Sequence, residues 1–240
     1  MPEKYFLSWS GGKDCCLSLY KARQQRLNIA TLVTSVNKIH QRISMHGVRT
    51  SLLEQQAVSL KLPLHIISLP ESPGMAEYEE AMSNAYRQLK EKGHTGVVFG
   101  DIFLEDLRQY RETQLATVGL PAIFPLWKQD SKALMEEFLS LGFKAIVVCI
   151  NNSFLDKSFC GRLIDRSFIA DLPAGVDICG EKGEYHSFVF DGPGFNEPVL
   201  FQKGELVYKE YPTPKEDKEE CYTTPSLTSG FYFCDLLPAL

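Results

Sequence analysis

The chain has 240 residues, 44% of them hydrophobic, with 25 Lys and Arg against 30 Asp and Glu for a formal charge of −5. At roughly 150 residues per domain this makes one large domain or two small ones, able to bury about 70% of the unfolded surface without disulfides. The acidic balance disfavours nucleic acid as a partner, no apolar run reaches the ~18 residues of a membrane span, and the Met1-Pro2-Glu3-Lys4 start leads into a strand-like run unlike a signal peptide.

The first half alternates between short apolar runs and amphipathic ones. Strands are predicted at 4–9, 29–36, 64–69, 96–100 and 121–124, and helices at 13–24, 50–61, 75–92 and 104–118. Apolar strands separated by helices imply a parallel sheet covered on both faces. Pro125-Leu126-Trp127 ends that series, and a soft boundary falls near 128. A helix is predicted at 130–141, with Asp130 or Ser131 as its N-cap, then a strand at 143–150 and a helix at 161–172. Strands are predicted at 186–190, 198–202 and 205–211, the last two joined by a Lys203-Gly204 hairpin turn. Residues 211–225 read as an exposed loop and 231–237 as a terminal strand.

Seven cysteines, none in a C-x-x-C pair, argue against a disulfide scaffold or a structural zinc site and fit a reducing cytoplasm. Cys149 reads as a small buried hydrophobe, and Cys15, at a helix N-terminus, as a thiol of lowered pKa. His40, His65 and His94 read as surface residues, whereas His46 follows the second strand and can reach a cleft at the sheet edge.

The strongest local feature is Ser10-Gly11-Gly12-Lys13-Asp14-Cys15, after strand one and opening helix one. Two glycines allow a sharp turn and close backbone approach, free helix-start amides favour an anion, and Lys13 adds a positive charge. The alternative is a tight turn that needs glycine for geometry only. A Walker A loop is excluded because Leu7 stands where its first glycine belongs, and the dinucleotide G-x-G-x-x-G pattern is also missing. Asp101, in Gly100-Asp101, sits at the carboxyl end of a strand on the same rim, where parallel sheets bind ligands; a turn or capping Asp is the plainer reading. Gly180-Glu181-Lys182-Gly183-Glu184 places two carboxylates in a glycine-bounded loop, which in isolation reads as a charged turn.

Ser10 to Cys15 resembles the PP-loop of the N-type ATP pyrophosphatases, with Cys15 where the family usually carries Ser. Gly100-Asp101-Ile102, Arg111-Glu112, Pro125-Leu126-Trp127, Gly161-Arg162, the stretch Asp177 to His186, and Asp191-Gly192-Pro193 extend the resemblance over nearly the whole chain, to the diphthine–ammonia ligase family. The resemblance implies an α/β fold: an adenine nucleotide alpha hydrolase-like, doubly wound parallel-sheet ATP-binding domain at 1–128 and a smaller α+β substrate-binding domain at 129–240. It implies ligation with ATP and Mg²⁺, in which a carboxylate is adenylated and then attacked by ammonia or ammonium nitrogen. Ser10, Gly11, Gly12, Lys13, Asp14, Cys15, Gly100 and Asp101 would bind ATP, with Asp14 anchoring the metal or orienting Lys13. Arg111, Glu112, Arg162, Gly180, Glu181, Gly183, Glu184 and His186 would face the acceptor acid, and Lys13, Asp14, Asp101, Glu181 and Glu184 would carry the chemistry. Glu181 and Glu184 can each hold ammonium, hold a metal or act as base. Adenine would sit near residues 33–36.

Lys182 replaces a family glycine and His186 a family glutamate, which resembles bacterial members and leaves the acceptor open: a protein side chain, a small molecule such as a corrinoid carboxylate, or tRNA. A non-catalytic adenine nucleotide sensor, and a homo-oligomer, also stay open.

Overall fold

The computed structural model describes residues 3–43, 46–212 and 228–239. The first half forms β1 (Lys4–Ser8), α1 (Lys13–Gln24), β2 (Ile29–Asn37), β3 (Arg42–Ile43), α2 (Thr50–Ser59), β4 (Leu64–Leu69), α3 (Met75–Glu91), β5 (His94–Val98), α4 (Glu105–Val118) and β6 (Ala122–Ile123). These strands make a six-stranded sheet in which β1 lies between β2 and β5, and β5 pairs β6. β4 runs along one edge of β2, while β1 and the short antiparallel β3 follow one another along its other edge. The chain goes from β1 to one side of the sheet and returns at β5 to the other, so the switch point lies at the carboxyl ends of β1 and β5.

Every long strand of this sheet was expected, because each is an apolar run bounded by turn residues. β5 starts two residues early, at His94, and His94 is buried rather than on the surface. Its Nδ1–H donates to the Leu89 carbonyl at 2.9 Å, leaving Nε2 to accept from Thr31 Oγ1 at 3.0 Å. His65 is half-buried and His40 exposed.

The second half forms α5 (Ser131–Ser140), β7 (Lys144–Asn151), α6 (Arg166–Asp171), β8 (Tyr185–Asp191), β9 (Phe201–Pro212) and β10 (Thr228–Pro238). Its four strands make an antiparallel sheet in the order β8-β7-β10-β9. Asp130 caps α5, as expected, by accepting from the Ala133 amide. Two expectations fail here. The helix foreseen over 161–172 is cut to Arg166–Asp171, since Gly161, Arg162 and Ile164 bond their backbone to β7 and Asp165 caps the remaining turn at Phe168 N. The foreseen hairpin at Lys203-Gly204 is instead the interior of β9, because β9 pairs along its length with β10. Tyr211 and Pro212 also belong to β9, and 213–225 lie outside the described residues.

One face of the parallel sheet is covered by α3 and α4, around Phe6, Val33, Val97, Phe99 and Leu115. The other carries a single apolar cluster running from α1 and α2 through α5 to β7 and β8, so the two sheets share a core.

Two polar clamps cross this junction. Asp235 of β10 accepts from Arg42 Nη1 at 2.7 Å and from Arg49 Nη2 at 2.6 Å, and these bonds outweigh burial to hold its pKa down at about 2. Gln56 is fully buried: Oε1 accepts from Trp9 Nε1 at 2.9 Å, and Nε2 donates to Gly11 O at 3.0 Å and Val189 O at 2.6 Å. Replacing Gln56 with Leu strands these buried partners. The Gln56→Leu variant is expected to lose about 2–4 kcal/mol in urea unfolding. A loss below about 0.5 kcal/mol would show that the clamp is dispensable.

Candidate active site

The turn after β1 is shaped by its two glycines. Gly11 has φ +76°, and a Cβ there would lie 2.7 Å from both Gln56 Oε1 and Leu53 Cδ2. Gly12 precedes α1 as its N-cap, and a Cβ there would crowd His46 Cε1 and Ser187 O at 3.1 Å. No side chain of the cap residue closes the helix; the Lys13 amide instead donates to Ser187 Oγ at 3.1 Å. Val189 N donates to Gly11 O at 2.9 Å, so β8 holds the turn from the far side.

This helix start opens into a cavity of about 430 Å³, a size suited to a small ligand. Ser10, Gly12, Lys13, Asp14 and Cys15 line it, as do Gly100 and Asp101 from the end of β5. Gly100 is needed for close packing, since a Cβ would stand 3.0 Å from the backbone of Asp14 and Cys15. The wall on the β2 and α3 side is built by Val33, Thr34, Ser35, Tyr78, Met82 and Tyr86. The opposite wall comes from the second half: Gly180, Glu181, Gly183, Tyr185, His186 and Ser187.

The charges are buried in pairs. Lys13 Nζ lies 2.7 Å from both Asp14 oxygens and 5.6 Å from the centre of the Tyr185 ring. Burial works against the Lys13 ammonium, but Asp14 outweighs it and keeps the group protonated. Arg111 Nη2 donates to Asp101 Oδ1 at 3.1 Å, and the guanidinium lies over the Phe99 ring at 4.5 Å. Arg111 Nε and Asp101 Oδ2 approach to 2.7 Å off the hydrogen-bond direction, so that contact is Coulombic only. Cys15 Sγ donates to Gly12 O at 3.1 Å; burial pushes the thiol up, and bonds with Cys16 and Ser10 bring it below its usual value, as expected.

The loop before β8 is organised by Glu184, which is 1% exposed. Its two oxygens accept from the amides of Asp177 and Lys182, each at 2.9 Å, and it does not line the cavity. Glu181 does. Its Oε1 accepts from Ile102 N at 2.7 Å, tying this loop to the residue after Asp101. Burial, reinforced by Asp14 and Asp101 against the Ile102 bond, pushes its pKa up to about 7.

His186 and His46 lie side by side with ring centres 4.5 Å apart and ring planes tilted by 35°. His46 Nδ1–H donates to Ser187 O at 3.2 Å, leaving Nε2 as an acceptor. Burial, with Lys13 nearby, lowers His46 to about 4 and His186 well below the usual imidazole value, so both are neutral near pH 7.

Four residues expected at the site lie elsewhere. Gly11 shapes the turn without lining the cavity. Glu184 braces its loop. Glu112 is exposed on α4 and pairs with Arg108 at 2.8 Å. Arg162 bonds Asp171 at 2.8 Å and lies over Phe159 and Phe168, bracing the second half. Sequence reasoning missed Gln56, Ser187 and Tyr185. Gln56 had a signal, as a lone amide in the apolar stripe of Leu52, Leu53, Ala57 and Leu60; Ser187 had none. Among the described residues, no three His, Cys, Asp or Glu side chains are placed to hold a metal by themselves.

A parallel α/β sheet with a glycine turn at its switch point, docked against an antiparallel sheet, defines a nucleotide-binding type of fold completed by a second unit. Residues 3–121 match the family model of the diphthamide synthase N-terminal domain, and residues 130–212 that of the C-terminal domain. The chain is 26% identical over 219 residues to the diphthine–ammonia ligase of Danio rerio, covering 82% of this chain and 86% of that protein. It is 26% identical to the Bos taurus and 25% to the Homo sapiens diphthine–ammonia ligase, each over 223 residues and 82% of both chains. The chain belongs to the diphthine–ammonia ligase family.

The titration of Glu181 gives a test on the protein alone. Its folded pKa of about 7 exceeds the ordinary 4.5, so the folded state holds the proton more tightly between those values. Stability therefore falls as pH rises through that window and levels off above about 7, by about 1.4 kcal/mol per pKa unit separating the states. Glu181→Gln should flatten this decline in urea unfolding followed from about pH 5 to about pH 8. Equal slopes in the two proteins would place the Glu181 carboxylate in ordinary solvent.

Proposed function

We propose that this chain is an ATP-dependent amide ligase that adenylates a carboxylic acid and transfers ammonia to it. The supporting observation is that the glycine turn opening α1 and the Glu181 loop line one cavity at the carboxyl ends of β1 and β5. In this reading residues 1–128 bind ATP and 129–240 supply the acceptor side.

A carboxylate resists ammonia because its carbon is electron-rich and oxide is a poor leaving group. Attack by the acid oxygen on the α-phosphorus of ATP forms an acyl-adenylate and releases pyrophosphate. Ammonia then attacks the carbonyl carbon, the acyl–oxygen bond to AMP breaks, and one proton leaves the nitrogen. The amides at the start of α1 and the ammonium of Lys13 receive the phosphate charge. Asp14 and Asp101 suit Mg²⁺, which takes one or two carboxylates and completes its shell with phosphate oxygens and water. Bound there, Mg²⁺ would supply charge neutralisation on the phosphates. Adenine fits between residues 33–35 and the apolar wall of Tyr78, Met82 and Tyr86.

Glu181 is the base that takes the nitrogen's proton, since a carboxyl near pH 7 combines availability with basicity. His46 and His186, both neutral, line the same cavity, and Glu184 positions Glu181 through the loop amides. Diphthine heads the candidate acceptors because the relatives act under that name. Lys182 and His186 change the charge of the acceptor loop relative to the family pattern, which widens the candidates to other carboxylic acids, protein-borne or small. The reaction is placed in the cytoplasm, where ATP is plentiful.

Incubation with ATP, Mg²⁺, ammonium and a panel of acids is expected to give acid-dependent AMP and pyrophosphate. ADP and phosphate as products would overturn the proposal. Glu181→Gln is expected to keep ATP affinity within about threefold and lower turnover by about 10²–10⁴. Lys13→Ala is expected to weaken ATP binding itself. Unchanged turnover in Glu181→Gln would remove that residue from the chemistry.

A further inference from the structure

Asp235 belongs to β10, yet what it holds reaches the cavity. It stands where the β9–β10 ladder slips: Cys234 faces Leu206 but Leu236 faces Lys203, so β9 carries an extra residue opposite it. A bulge of this kind bends the ladder and re-aims the side chains beside it. The Asp235 carboxylate accepts from Arg42 Nη1 at 2.7 Å, and from Arg49 Nε at 3.1 Å and Nη2 at 2.6 Å. Among the described residues no other carboxylate forms an ion pair with either arginine.

Arg42 and Arg49 are paired as an antiparallel bridge, so together they close the segment between them. Inside it Ile43 N donates to Val48 O and Gly47 N to Ile43 O, each at 3.0 Å. Arg42 Nη1 also donates to Gly47 O at 2.7 Å. Gly47 has φ +67°, and a Cβ there would stand 2.8 Å from Phe233 Cδ1, so the segment lies directly on β10. Two of its residues, Ile43 and His46, line the cavity. His46 rests against the start of α1, where a Cβ on Gly12 would come within 3.1 Å of its Cε1. It is tied to Ser187 O, and the Ser187 hydroxyl receives the Lys13 amide.

We propose that Asp235 is a positioning residue for the cavity, holding the Arg42–Arg49 segment on β10 so that His46 walls the start of α1. It does not line the cavity and acts through the two arginines and Gly47. The ligase reading enters only in naming ATP as the ligand whose phosphates meet that wall. Without the carboxylate, Arg42 and Arg49 are left as like charges with no acid between them, and the segment is released.

Two readouts on the full chain test this. The first is titration of the His46 ring by proton NMR, with no ligand. Lys13 of α1 and His186 of β8 are the titratable groups beside it, and burial holds the unaltered ring at about 4. Asp235→Asn should raise it by about one unit or more toward the ordinary 6.5. Arg49→Gln loosens the same clamp from its other end and should shift the ring in the same direction. The second readout is ATP binding by calorimetry. Asp235→Asn should weaken it about fivefold or more, and should have no further effect in a His46→Ala background. An unmoved His46 titration in the folded variants overturns the proposal, as does an equal loss of ATP affinity in both backgrounds. If the unaltered protein binds no ATP, the ligase reading falls and the titration alone decides the role of Asp235.

Discussion

The three hydrogen bonds of Gln56 hold the site together. A buried primary amide must satisfy both its oxygen and its two N–H groups, and here three partners come from two segments: the Trp9 indole, the Gly11 carbonyl and the Val189 carbonyl. Trp9 and Gly11 belong to the turn after β1, and Val189 to β8 of the other sheet. The amide thus fixes the turn against both halves at once, and it requires glycine at position 11, where any Cβ would collide with Gln56 itself. The direction of α1 follows, and with it the aim of the helix-start amides. Ser187 extends the same seam to the Lys13 amide. The turn that would receive phosphate is therefore a property of the junction, not of the parallel sheet alone.

Behind that junction the charges are arranged to hold excess negative charge out of water. Asp14 and Asp101 are each matched to one cation, Lys13 and Arg111, while Glu181 has only a backbone amide. The unmatched carboxyl therefore bears the penalty and rises to about 7. Two imidazoles beside Lys13 are kept neutral by burial and by its charge. The cavity is thus lined by two paired cations, Lys13 and Arg111, and by one unmatched carboxyl, Glu181.

Much of this was legible in the sequence where structure is local. The β1–α1 turn could be read because its glycines, its position and its lysine stand together, and the strands of the first sheet because they are apolar runs between helices. What failed was non-local. Lys203-Gly204 looks like a turn until β10, far along the chain, arrives to pair with it. Residues 161–164 look helical until their backbone is claimed by β7. Arg162, Glu112 and Glu184 carry charges that suit a site, yet each finds a closer partner within its own half. Gln56 was visible as an amide in an apolar stripe, but its partners were not, because only the folded junction brings Trp9 and Val189 to it.

The central mechanistic claim is that an acyl-adenylate forms before nitrogen arrives. Exchange of labelled pyrophosphate into ATP, with an acid that supports turnover and with ammonium withheld, measures that step alone. The mechanism predicts acid-dependent exchange without ammonium, because adenylation is reversible and pyrophosphate leaves and is replaced from solution while the adenylate stays bound. Turnover to amide with no exchange unless ammonium is present would contradict a free-standing adenylate and the two-step chemistry with it.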